Sequence, residues 1–439
     1  MTKWLELILK ERYGFDVILD EVKDSLELSL PSSDKKIIFT HLDPAFKKFG
    51  INDSIGLDWW SASSEGFEGA VEDALALPTS MGFKGPLVCI EGNIAYVSFD
   101  ILGLAYWMMN RLEEFGDVPR DRHGRFKDEN CHAVRYNYYL RPIVDEWLDI
   151  LRQIMLRMWP GLEFKRHESS YCISHDIDLP SKYDFINWRN FAKSYAIAAA
   201  NGGFRFREFL RRNPRSSCKL TAGDPFNTFD NLMDRSEELG TKSAFYFICG
   251  GHSLYDATYK IDDPKIKTLL KHIHNRGHEI GLHASYKATD IDGAIGCEFQ
   301  KLRTVCDELG ITQEIWGERT HYLRWKQPET LREIESAGLD YDSSLGYLRH
   351  VGFKCGTAFE YPAYDAVRGH GHDRGRGLGL ERGAILNLRL RPLHVMDLNL
   401  HKESGGSEIE TVITNSKIVG GLVGILIHNN NFKFNELIL

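Results

Sequence analysis

Tyr171-Cys172-Ile173-Ser174-His175-Asp176-Ile177-Asp178, stopped by Leu179-Pro180, is the stretch on which the reading of the fold turns. Short apolar runs closed by a turn signal read as buried strands. This one carries a histidine and two aspartates to its exit, where charged groups are costly to bury unless paired, protonated or bound to a metal. The strand is expected to end at Asp176, so that the two carboxylates converge on one corner of an active site. The plain alternative is a helix start, because Asp ahead of Pro-Ser caps helices well.

Downstream, short apolar runs alternate with helical ones. Strands are expected at 171–175, 243–249, 279–283, 313–317, 339–342, 393–398 and 422–428. Helices are expected at 229–239, 263–276, 298–309 and 328–337. Such alternation argues for parallel strands with helical crossovers, as a barrel or an open α/β sheet. Ligands of these folds sit beyond the carboxyl ends of the strands. The Gly-, Arg- and His-rich segment 368–379 reads as a solvated loop.

Upstream the pattern is mixed. Helical spacing covers 4–13, 101–115 and 142–159, the last with Ile143, Trp147, Leu151 and Met155 on one face. Strands are expected at 35–40, 86–90 and 94–99, with a hairpin turn at Glu91-Gly92-Asn93. Asp121-Arg122-His123-Gly124-Arg125-Phe126 reads as a polar turn. Pro160-Gly161 ends the last helix, dividing a smaller α+β domain at 1–165 from the α/β region at 166–439.

The 439 residues are too many for one ordinary core, and 43% hydrophobic with 26% charged content is that of a soluble globular chain. A net charge of -8 argues against nucleic acid, whose phosphates need a basic surface. No apolar run is long enough to span a bilayer. Eight cysteines without a CxxC pair, several inside apolar runs (Cys89, Cys172, Cys249), suit packed, reduced thiols and a cytoplasmic location.

Five separate segments bring Asp, His or Arg to the expected rim: Asp176 and Asp178, then His283, then Arg319 with His321, then Asp342, then His428. One carboxylate and two imidazoles on a divalent ion leave room for water and a substrate oxygen. A second carboxylate can take the water's proton and a histidine can protonate a departing amine. The pattern is that of metal-assisted hydrolysis.

With those residues in view, 166–439 resembles the NodB-homology polysaccharide deacetylases, carbohydrate esterase family four. The most specific match is Gly277-His278-Glu279-Ile280-Gly281-Leu282-His283, preceded by Lys242-Ser243-Ala244-Phe245-Tyr246-Phe247, which is similar to that family's KATFFV strand. The resemblance implies an irregular (β/α) barrel of about seven strands. It also implies Asp176 as general base, Asp178 and His283 as metal ligands, Arg319 as the arginine orienting the base, and His428 as general acid. Two departures stand out. Ile177 separates aspartates that the family keeps adjacent, which allows their roles to be exchanged, and Lys287 stands where the second metal histidine belongs. His321 is the first candidate for the missing ligand and Glu298 a more distant one. The implied metal is zinc, with cobalt or manganese as alternatives. The HDxD, GLH and Arg-x-His segments, with the 121–126 turn, resemble a divergent subfamily with a leader domain, found with O-antigen and capsule biosynthesis. The expected activity is removal of acetyl from an acetamido sugar. Two other readings are a metal-free glycan-binding or partner-binding barrel, which Lys287 favours, and an amidohydrolase of small cyclic amides or ureides. Trp325, Tyr322 and Tyr347 are candidates to stack on a sugar face.

Overall fold

The computed structural model describes residues 1–185, 217–251, 253–367, 383–401 and 405–431. Segment 368–379 lies outside them. In the first region, helix Thr2–Tyr13 leads into β1 (Ile18–Val22), β2 (Ser25–Ser29) and β3 (Lys36–Phe39). After β4 (Gly56–Ser61) and β5 (Ala74–Thr79), which pair with each other, come β6 (Val88–Glu91) and β7 (Ile94–Val97). A five-stranded sheet runs β1-β2-β3-β7-β6, and Gly92-Asn93 make the tight turn of the β6–β7 hairpin. Helix Ile101–Met109 is shorter than the spacing suggests, because Arg111 turns to φ 49° and its buried guanidinium pairs with Glu113 and Glu114. Helix Ile143–Met158 buries Ile143, Trp147, Leu151 and Met155 as expected. Cys89 is exposed on β6, against expectation, while Cys249 is buried; all eight cysteines are free.

Among the described residues the second region holds one sheet of nine strands. These are β8 (Ser170–Ile177), β9 (Ala244–Ile248), β10 (Glu279–Ala284), β11 (Gly317–Thr320) and β12 (Tyr341–Asp342), followed by β13 (Tyr361–Asp365), β14 (Ala384–Leu390), β15 (Val395–Met396) and β16 (Leu422–Leu426). Their order is β13-β14-β12-β11-β10-β9-β8-β16-β15. Every neighbouring pair is parallel except β13 with β14. Helices Phe229–Glu238, Pro264–Asn275, Ala294–Glu308 and Glu329–Ala337 are the crossovers, and Gly405–Ile418 precedes β16. The fold is α/β, with the carboxyl ends of the parallel strands on one rim.

Three strand expectations need correction. The strand expected at 313–317 lies at Gly317–Thr320, because the Gln313 amide takes over the ladder bonds of Ile280, accepting from its N–H at 3.1 Å and donating to its carbonyl at 2.7 Å. β13 and β14 were not anticipated, which makes nine strands rather than seven. β8 does not stop at Asp176 but runs through Ile177. Alternate residues of a strand share a face, so Asp176 and Asp178 converge because the strand continues.

One continuous apolar cluster runs from Trp4 to Ile427 through both regions. Trp4 Nε1 donates to the Pro362 carbonyl at 2.8 Å, and Tyr361 donates from its hydroxyl to the Met109 carbonyl at 2.6 Å. Among the described residues no helix is long and apolar enough to cross a membrane.

Candidate metal centre

The period of the strands decides which side chains meet. On β8, Ser174 and Asp176 share a face with Asp178, while His175 turns away and bonds the Ile427 carbonyl through Nδ1 at 2.9 Å. On the neighbouring strands His283 and Arg319 stand side by side in register.

Arg319 is buried and spends its donors on this corner. Nη1 donates to Asp176 Oδ1 at 2.9 Å, Nη2 to the Ser174 and Ser343 hydroxyls at 2.9 and 2.8 Å, and Nε to the Ser343 carbonyl at 2.9 Å. Burial alone would push the Asp176 carboxyl up; the charges of Arg319, His283 and His428 hold it below the usual range.

Asp178, His283 and His321 each offer one ligand atom, and these atoms lie within 4.8 Å of one another. His283 Nδ1 donates to the Arg319 carbonyl at 2.7 Å, which leaves Nε2 facing Asp178 Oδ1 at 3.3 Å. His321 Nε2 is 3.6 Å from the same oxygen. That oxygen is buried and has no hydrogen-bond partner. Lone pairs facing an unpaired carboxylate oxygen repel unless a proton or a cation lies between them. Burial pushes Asp178 up, yet the contacts with His283 and His321 hold it well below the usual carboxylate range. His321 is driven the opposite way: burial lowers it, but Asp178 and Asp256 together raise it to about 9. A pocket that forces a proton onto an imidazole is one that accepts a cation in its place. The donor set, one carboxylate and two imidazoles, fits a divalent transition ion.

Two carboxylates escaped the sequence reading. Asp256 Oδ1 lies 3.7 Å from His321 Nδ1 and accepts from the Tyr286 amide at 2.7 Å; its bonds outweigh burial and take it down to about 2. Asp397 Oδ1 accepts from His428 Nδ1 at 2.8 Å, while His428 Nε2 points at Asp178 Oδ2 from 3.8 Å. Burial would lower His428, but Asp397 raises it to about 9. Asp256 stands in no apolar run, so no local pattern marks it; Asp397 directly follows β15, inside the strand expected at 393–398, and the strand-end signal it carries was passed over.

Other sequence candidates lie elsewhere. Lys287 is exposed and is not in the cluster. Glu298 is committed to Ser285, accepting from its amide at 2.8 Å and from its hydroxyl, and so cannot serve as the substitute ligand. Asp342 does not face the pocket cluster: it is buried, accepts from the Ser344 amide at 2.8 Å and is paired with Glu318 behind Arg319. Burial pushes both of these acids up, and the neighbouring Asp342 carboxylate adds to the rise of Glu318. Trp325 and Tyr347 are core residues, and of the three aromatics only Tyr322 is at the site, its ring 4.9 Å from that of His321.

Comparison with known proteins adds little to this geometry. No curated protein matches the chain. The solved structure of Puue allantoinase superposes with a TM-score of 0.32 at 11% identity, over 62% of this chain and 80% of that one. Residues 4–160 match a family described as of unknown function, DUF7033.

Proposed function

We propose that the chain is a metal-dependent hydrolase that removes the acetyl group from an acetamido sugar, in the manner of the NodB-homology deacetylases and in the service of surface-polysaccharide assembly. The observation that supports it is the buried, unpartnered Asp178 Oδ1 facing two imidazole nitrogens. Asp178, His283 and His321 would hold the ion, with zinc the preferred metal. When bound, such an ion supplies Lewis acidity toward a carbonyl and toward water.

The surrounding residues divide the proton work. Asp176, kept ionised by Arg319 and fixed in direction by the same guanidinium, accepts the proton of the attacking water. His428, protonated at neutral pH through Asp397, gives a proton to the departing amine. Arg319 is locked by both serines, so the base cannot swing away. The two titratable groups thus carry opposite protonation states at one pH, as an acid and base pair requires.

The test is acetate release from acetamido sugars by protein loaded with zinc, cobalt or manganese, together with elemental analysis. Stoichiometric metal that is lost in Asp178→Ala and His283→Ala, with turnover lowered by about 10²–10⁴ in Asp176→Asn, is the expected result. Metal-free protein, or loaded protein that cleaves a cyclic ureide and no acetamide, would overturn it.

A further inference from the structure

The 121–126 turn belongs to the first region, yet it sits against the rim of the second. Asp121 fixes the turn, accepting from the His123 amide at 2.8 Å and from Arg125 Nε at 2.8 Å. Arg125 Nη1 donates to the Tyr322 carbonyl at 3.1 Å, and Arg324 Nε donates to the His123 carbonyl at 2.7 Å. His123 Nε2 accepts from Arg122 Nε at 3.0 Å, so Nδ1 carries the proton and donates to the Tyr286 hydroxyl at 2.9 Å.

These bonds gather four rings. His123 lies 4.9 Å from Tyr322, 5.5 Å from Tyr255 and 5.8 Å from Tyr286 between centroids. Tyr255 and Tyr286 are 4.5 Å apart, and each is 5.4 Å from Tyr322. Tyr322 in turn touches His321, one of the three clustered residues. Two features set this group apart from ordinary core packing. Tyr255 is 47% exposed beside a fully exposed Leu254, and among the described residues the hydroxyls of Tyr255 and Tyr322 make no hydrogen bond. Tyr322 and Leu323 hold φ of 64° and 53°, a left-handed pair that side-chain-bearing residues adopt at a cost and that clusters at ligand sites.

We propose that His123, Tyr255, Tyr286 and Tyr322 form an aromatic subsite bordering the metal centre, built partly by the N-terminal region, that takes the apolar face of the sugar ring next to the one being deacetylated. It rests on the deacetylase reading for the identity of that neighbouring ring. Tyr255 and Tyr322, partly exposed and with unbonded hydroxyls, match the alternation of CH face and hydroxyl edge on a pyranose, while the buried His123 holds the group in place through the Tyr286 hydroxyl. The subsite makes the substrate an oligosaccharide, and gives the first region a role in selecting it.

The probes are N-acetylglucosamine, chitobiose and chitotetraose. Binding is read by saturation-transfer NMR on metal-loaded Asp176→Asn full-length protein, and KM on the metal-loaded wild type. Affinity is expected to rise from monomer to tetramer. Tyr255→Ala and His123→Ala each weaken chitotetraose roughly threefold to tenfold, the worth of one aromatic contact, with metal content unchanged. His123→Phe, which keeps the ring but loses the Tyr286 bond, recovers part of the loss. Equal affinity for all three sugars, no binding of any, or binding indifferent to Tyr255 and His123 would overturn the subsite. Acetate released with that indifference leaves the deacetylase reading standing alone. Binding that depends on Tyr255 and His123, with no acetate released by loaded wild type, keeps the subsite and removes the deacetylase reading.

Discussion

Asp176 and Arg319 form the pair on which the candidate chemistry depends, since each is buried and the other is its counter-charge. Asp176→Asn keeps the hydrogen-bonding shape and loses the base, so kcat is expected to fall by about 10²–10⁴ with bound metal retained. Steady-state kinetics beside elemental analysis checks this; loss of both together would make Asp176 a ligand instead. Asp397 acts through His428. Its carboxylate lifts that imidazole to about 9, so the acid form persists through neutral pH and is lost as pH rises through about 9. The alkaline limb of kcat/KM is therefore expected there, and Asp397→Asn is expected to move it down by roughly two pH units. The same raised value contributes stability that is complete below the free histidine's pKa of about 6.5 and disappears above about 9. A limb that stays in place in the variant would assign it to another group. Asp176, Asp178, His283 and His428 could be found in the sequence because each closes a short apolar run, and Arg319 and His321 because they follow Ile315-Trp316-Gly317, although their strand lies later than that run suggests. Asp397, closing Val395-Met396, carried the same signal and was passed over, whereas Asp256 could not be found, since an aspartate in an aperiodic segment looks like any solvated one until its histidine is seen beside it.

At the level of the strand, the centre of the sheet tolerates no added bulk. A Cβ on Gly281 would lie 2.4 Å from the Tyr246 ring and 2.7 Å from the Gly317 carbonyl, and these belong to the strands on either side. Gly281→Ala is expected to cost about 1–3 kcal/mol through overpacking, and to weaken metal binding because His283 is two residues on. Denaturant melts with and without zinc measure both; unchanged stability would mean that the sheet yields locally. β10 was readable because Ile280, Gly281 and Leu282 make a compact apolar run. β11 was not: Glu318-Arg319-Thr320 is wholly buried yet reads as solvated by hydropathy. The Arg319 charge is met by Asp176 and by the serines that hold it, and burial pushes the Glu318 carboxyl up. β13 pairs with β14 across a break in register, so its alternation is interrupted and easily missed.

For the molecule as a whole, the continuous core predicts a single cooperative unfolding event rather than two. Trp4→Ala removes a fully buried indole and its bond to Pro362, and is expected to cost about 3–5 kcal/mol. Calorimetry that resolves two transitions, with only one moved by this substitution, would show that the regions melt separately. Zinc at a hundred times its dissociation constant is expected to add about 2.7 kcal/mol to that transition, and a chelator to take it away. Trp4 and Pro362 stand 358 positions apart along the polymer. During vectorial synthesis the first helix leaves the ribosome long before β13 exists, so although β1 covers part of it early, the Trp4 side that meets Pro362 must wait while most of the remaining chain is translated. Docking on β13 is then a late event, and in that interval the uncovered side of the helix makes the nascent chain a natural client for chaperones.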